Sequence, residues 1–273
     1  MASAQELTRR ATRRWNAGQP QVALGLRPAG TVAAAVDAGL FQEADILLLH
    51  HFRHPVAWVI RVLSGSYWNH AALVGRSPSD AADAQLEVVE AHWRGTRRWP
   101  LREFLEAHSR SVMAVRRVPT DVLDRPARHR IARLAAEAVG SPYDFSLLLR
   151  MARLAARDLV RRYRSGRPAL PALLRLTANL AESARGFICS GLVQWSYWMG
   201  VEPEQRPRVL FVPGLEGPLP EALPRVATPD HLARSANLEW AYLITDGQAW
   251  ALAPADQGGA TSLAQEDEAQ RVA

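Results

Sequence analysis

Short apolar runs bounded by turn residues alternate along this chain with longer stretches of helical spacing. Asp45 to Leu49, His70 to Gly75 and Ser111 to Val118 are apolar runs of strand length. Leu86 to His92 alternates, with Leu86, Val88, Glu90 and His92 on one face and Glu87, Val89 and Ala91 on the other. Helical spacing marks Pro55 to Leu63, Leu101 to His108, Arg125 to Val139 with Gly140 as its C-cap, and Gly186 to Met199, stopped by Gly200. Val209 to Val212 and Leu238 to Thr245 read as strands, with a helix start at Thr228-Pro229-Asp230 between them. Residues 1–40 read as an amphipathic helical extension followed by Gly/Pro/Ala-rich connectors, and 251–273 as a disordered tail rich in Gly, Glu and Gln. No internal repeat is visible, and the expected class is α+β, a sheet flanked by helices.

One feature of this pattern carries chemistry. The single cysteine lies in Gly186-Phe187-Ile188-Cys189-Ser190-Gly191, just where an apolar, aromatic helix begins. At a helix start the dipole and unpaired N–H groups favour the thiolate, the nucleophilic form. A structural cysteine would need only a greasy pocket, and on Cys189 alone that reading fits equally well. The balance shifts with Ser66-Tyr67-Trp68-Asn69-His70, which sets a histidine at the mouth of a strand, a rigid place for a general base. Glu90, a carboxylate in an otherwise apolar stretch, is the residue expected to orient that imidazole; an edge-strand glutamate in solvent would read the same way.

These segments, in this order, resemble a known family. Ala44-Asp45-Ile46-Leu47-Leu48-Leu49, Gly65 to His70, Val88-Val89-Glu90-Ala91, Gly140-Ser141-Pro142-Tyr143-Asp144-Phe145 and Phe187 to Val193 are similar to the motifs of the YiiX/YebB-like permuted NlpC-type papain-like cysteine hydrolases, over roughly residues 40 to 245. Lecithin:retinol acyltransferase-like enzymes are more distant relatives with the same permutation, in which the histidine precedes the cysteine. The resemblance implies a circularly permuted papain-like fold, an antiparallel sheet packed against helices, with a catalytic domain over 41–250. It implies Cys189 as nucleophile, His70 as general base, Glu90 as the third member, Tyr143 as an oxyanion donor and Asp45 in a structural role. The backbone N–H of Cys189 would supply another donor. His92, on the strand face of Glu90, is a fallback for a catalytic or substrate-binding role.

The family pattern is departed from between Tyr143 and Cys189, where the chain is long. Residues 145–182 read as an inserted helical hairpin broken at Ser165-Gly166-Arg167-Pro168. Arg150, Arg153, Arg157, Arg161 and Arg164 line up as a basic stripe beside an apolar one, suited to an anionic membrane surface or to capping an acyl cleft. A packed surface helix with a solvated arginine face is the plainer expectation.

Composition changes this picture little. The chain has 273 residues, 48% hydrophobic and 22% charged, ordinary for a globular protein. All basic side chains are arginine and the net charge is +6, yet there is no nucleic-acid-binding signature, and no nucleic-acid partner is expected. One cysteine excludes an internal disulfide and a cysteine-based zinc site. His50, His51 and His54 with Asp45 suggest a metal site, but a strand end running into a loop gives poor geometry, so neither metal nor organic cofactor is expected. There is no glycine-rich phosphate loop and no Gly-x-Ser-x-Gly elbow. No signal peptide or membrane-spanning run is seen, so a cytoplasmic location, free or peripheral to a membrane, is the default expectation. The expected activity is hydrolysis of an amide or ester, in a peptide, cell-wall fragment or acyl-lipid, through a thioester. An acyltransferase, or a silent membrane-docking module, are the alternatives.

Overall fold

A computed structural model of the chain describes residues 3–18, 24–51, 61, 66–77, 85–151, 153, 186–212 and 223–254. Its centre is an eight-stranded antiparallel sheet in the order β1-β8-β7-β6-β2-β3-β4-β5. The strands are β1 (Leu24–Thr31), β2 (Ile46–His50), β3 (His70–Arg76), β4 (Leu86–His92), β5 (Gly95–Pro100), β6 (Val112–Arg117), β7 (Glu239–Thr245) and β8 (Gln248–Pro254). The described helices are α1 (Ala4–Gly18), α2 (Val32–Asp37), α3 (Leu101–Ala107), α4 (Arg125–Glu137), α5 (Cys189–Gly200) and α6 (Pro229–Arg234). Residues 145–151 are also helical. Among the described residues no helix is long and apolar enough to cross a membrane.

The central strands are apolar on both faces because both faces are covered. Ile46, Leu48, Ala71 and Leu73 pack with Ile131 of α4 and Leu192, Val193 and Tyr197 of α5. Leu47, Leu49, Ala72 and Val74 pack on the other side with Phe104 and Leu105 of α3. Such burial, at about 25 cal/mol per Å² of apolar surface, is the main force fixing strand and helix against each other.

Local rules explain the helix ends. Asp124 caps α4 through its side chain, accepting from the Ala127 N–H, with Pro126 in the first turn. Thr228 and His231 form a reciprocal capping box at α6. Asp45, fully buried, accepts from Arg117 Nε and Nη2 (2.7 and 2.6 Å) and from the Gln42 N–H, stapling the entry of β2 to the end of β6. Burial alone pushes the Asp45 carboxyl upward, and the fork of Arg117 is what opposes it. The structural role expected for Asp45 is thus visible in its contacts.

Several elements differ from expectation. The connector after α1 contains β1, which pairs with β8 and so extends the sheet. β8 runs to Pro254, past the start of the expected tail, and residues 255–273 lie outside the described residues. Val209 to Val212 is not a strand: Pro203–Val209 is a 3₁₀ helix. Its backbone groups are taken by Gln194, whose amide donates to the Val209 carbonyl and accepts from the Phe211 N–H, so no sheet ladder is needed. The helix expected over Pro55 to Leu63, apart from Arg61, and most of the 145–182 hairpin, including Arg157, fall outside the described residues.

Candidate active site

The site forms at one end of the sheet, where β3 begins, β4 turns into β5 and α5 starts. His70 is the first residue of β3, and Cys189 the first of α5. Two close backbone approaches and two side-chain hydrogen bonds put Cys189 there. A Cβ on Gly186 would lie 2.1 Å from the Pro142 carbonyl oxygen, and one on Gly191 2.1 Å from that of Arg225, so only glycine lets these backbones meet. The Ser190 hydroxyl donates to the Ala227 carbonyl at 2.7 Å, and the Tyr197 hydroxyl, two turns on, donates to the Ala44 carbonyl at the entry of β2. The nucleophile's helix is therefore pinned along its length.

The imidazole of His70 bridges two partners. Its Nε2 donates to Glu90 Oε2 at 2.6 Å, and the ring is hydrogen-bonded to the Cys189 thiol. With Nε2 on the carboxylate, Nδ1 is the nitrogen left for sulfur. The Ala71 and Ser190 backbone N–H groups also point at the sulfur. Burial works against every charge here, yet the His70 hydrogen bond and charge hold the Cys189 thiol below its ordinary range. Against the same burial, Cys189 and Glu90 push His70 up to about 10. Glu90 is buried, and His70 and Arg97 hold its carboxyl well below the usual carboxylate range. The three groups form a thiolate–imidazolium–carboxylate line.

Glu90 is itself held on its second oxygen. Arg97 Nε donates to Oε1 at 2.8 Å and Trp99 Nε1 at 3.1 Å, and the Arg97 guanidinium stacks on the Trp99 ring at 4.6 Å. Both residues are on β5, which pairs Arg97 directly opposite Glu90. The sequence reading missed them. The available signal was the turn at Trp93-Arg94 with Gly95 at φ 114°, followed by Arg97 and Trp99 at strand spacing.

Tyr143 reaches the site through a short parallel bridge to Phe187, flanked by bonds from the Phe187 N–H to the Pro142 carbonyl and from the Asp144 N–H to the Phe187 carbonyl. Burial and the charges of Cys189 and Asp144 push its phenol up, so Tyr143 stays a protonated donor at neutral pH. The structure thus gathers Cys189, His70, Glu90 and Tyr143. His92 lies beyond Glu90, pushed down to about 4 by burial and by Arg97, so it is neutral here.

Two further histidines line the same end. The His51 ring is 5.9 Å from His70 and 5.3 Å from His108, and it is hydrogen-bonded to Ser111 Oγ at 2.9 Å. His108 donates from Nδ1 to the Phe104 carbonyl. His50 is engaged on both nitrogens, by the Tyr67 carbonyl and by Arg61, which leaves no lone pair for a metal. His54 lies outside the described residues. Among the described residues, no group of three or more His, Cys, Asp or Glu is placed to hold a metal ion. A small apolar cavity of about 150 Å³ opens on the α3 side of the sheet, lined by Val36, Leu105, Met113 and Ile244 among others. Sheet register puts Ile244, Met113, Leu49 and His70 in one row across four strands.

No curated protein matches the chain. Among solved structures, one described as metalloprotein yiiX from Escherichia coli O157:H7 is similar, at 17% identity and a TM-score of 0.43, over 73% of this chain and 95% of that one. Residues 40–161 match the family described as permuted papain-like amidase enzyme, YaeF/YiiX, C92 family. That match spans His70, Glu90 and Tyr143 and ends before Cys189, which the fold then delivers to His70. The family matched over residues 40–161 is the group that the sequence motifs resemble.

Proposed function

We propose that this protein is a cysteine hydrolase that cleaves an amide or ester through a thioester on Cys189. The observation that carries the reading is the continuous hydrogen-bonded line Glu90–His70–Cys189, with the thiol lowered and the imidazole raised. In the first half-reaction the thiolate adds to the substrate carbonyl. Tyr143 and the backbone N–H groups at the start of α5 receive the oxyanion. Protonated His70 gives its proton to the leaving nitrogen or oxygen, the carbon–heteroatom bond breaks, and the thioester is left. Water then gives a proton to His70 and adds to the thioester; the acid leaves and the thiol returns. Glu90 keeps the imidazole oriented throughout and stabilises it whenever it is protonated, as the buried acid does in serine hydrolases.

An amine or alcohol acceptor in place of water would make the same thioester an acyltransferase intermediate.

The deciding test is the pH dependence of Cys189 alkylation by iodoacetamide. Labelling with an inflection well below pH 8.5 in wild type, moved to or above that value in His70→Ala, supports the pair. Slow labelling indifferent to His70 refutes it. A series of p-nitrophenyl esters of increasing chain length, with aminoacyl and muropeptide amides, then reads substrate class.

A further inference from the structure

Among the described residues five large apolar side chains are exposed, and four of them fall in two neighbouring segments beside the site. Trp93 (48% exposed) tips the β4–β5 turn, Val139 ends the segment after α4, and Phe145 (51%) and Leu149 (52%) lie one turn apart on the helix of residues 145–151. The segments are hydrogen-bonded together: the Thr96 N–H donates to the Ser141 carbonyl at 2.8 Å, and the Gly140 N–H to the Thr96 carbonyl at 2.9 Å. Tyr143 lies on the second of them, its ring 4.9 Å from Phe145 and its phenol within the field of Cys189. The patch therefore rims the mouth of the candidate active site.

Its charge has one sign. Arg94 lies over the Trp93 ring at 4.4 Å, and Arg150 and Arg153 are exposed on the same helical stretch as Leu149. No acidic residue occurs from Ala91 to Arg98, and between Val139 and Arg153 the only one is Asp144, which is buried. Tryptophan and phenylalanine beside arginine, with no exposed carboxylate among them, is the composition of a surface that sits at a lipid headgroup boundary. The rings enter the acyl edge while the guanidinium groups stay with the phosphates.

We propose that this rim docks on an anionic phospholipid bilayer, so that the thiol faces the membrane surface. Charge complementarity selects that occupant. The inference stands apart from the chemistry of Cys189, since a rim can bind lipid whether or not the thiol reacts.

The test is co-sedimentation of the full chain with phosphatidylcholine vesicles, with and without phosphatidylserine. Partition into phosphatidylserine-containing vesicles is expected, weakening as salt is raised. The triple variant Trp93→Ser, Phe145→Ser, Leu149→Ser should lose about tenfold or more of that partition. Arg94→Gln with Arg153→Gln should lose about fivefold per arginine, in the anionic vesicles alone. Met199→Ser removes the fifth exposed apolar residue, at the far end of α5, and should change nothing. Cys189→Ala should bind like wild type, and a far-ultraviolet circular dichroism spectrum and thermal midpoint matching wild type report that the rim variants are folded. No sedimentation with either vesicle, or binding indifferent to the rim variants, would overturn the proposal.

Discussion

Glu90 receives hydrogen bonds from three side chains, an imidazole, a guanidinium and an indole, and each donor constrains the carboxylate from a different residue of β3 or β5. Its role is positional: it touches His70, not the sulfur. Glu90→Gln keeps the shape and removes the charge, so His70 should fall from about 10 toward an ordinary imidazole. Hydrolysis should drop on the order of 10²-fold, with the alkaline limb of the pH profile moving toward neutrality. A role in stability alone would lower the amount of folded enzyme and leave that limb in place. The linkage also has a sign. Glu90 is depressed in the folded state, so its stabilisation is present above the unfolded value of about 4.3 and lost as pH falls. His70 is raised, so its share is present below about 6.5 and lost as pH rises through about 10. Thermal melts of wild type and Glu90→Gln should therefore differ most between about pH 4.3 and 6.5, and converge as pH falls below that window or rises toward about 10. Cys189, His70 and Glu90 were legible in the sequence because each breaks its local pattern: a lone thiol at a helix start, an imidazole at a strand mouth, a carboxylate in an apolar strand. Arg97 and Trp99 were not, because an arginine beside a tryptophan on a polar stretch looks like surface until the register opposite Glu90 is known.

At the scale of elements, the cysteine helix is held by absence of side chains as much as by their presence. Gly191→Ala would drive a methyl into the Arg225 carbonyl, which belongs to backbone and cannot rotate away. A loss of about 3 kcal/mol or more in chemical denaturation is expected, together with slower Cys189 alkylation as α5 shifts from His70. A flexible contact that relaxes would leave both measurements unchanged. The apolar strands and capped helices were readable from period and caps, whereas β1 and β5 were not. β1 carries Gly25, Pro28 and Gly30 and bulges near Pro28, and β5 is a polar edge strand whose pattern owes more to Glu90 than to a core. The misread strand at Val209 to Val212 shows the reverse error: apolar residues there fill the core, but side-chain amide bonds from Gln194 replaced the ladder.

Across the whole molecule, α1 reaches the site indirectly. Trp15 packs edge-on against Trp240 with centroids 4.6 Å apart, Trp240 lies 6.1 Å from Trp68, and Trp68 is two residues before His70. Trp15→Ala should cost about 3–5 kcal/mol in urea unfolding and loosen the segment that leads into β3. Unchanged stability would mean α1 is a passenger. The α+β layering was apparent from sequence, but the joining of β1 to β8, which ties the earliest strand to the last, was not, since long-range pairing leaves no local trace. The order of parts along the chain has a consequence for synthesis. Glu90, His70, Arg97 and Trp99 sit on adjacent strands and emerge from the ribosome well before α5. Until α5 docks, the Cys189 thiol meets neither imidazole nor oriented N–H groups and has the reactivity of any free cysteine. In a nascent or misfolded chain the thiol is thus apart from its imidazole, and the two meet only once α5 has docked on β3.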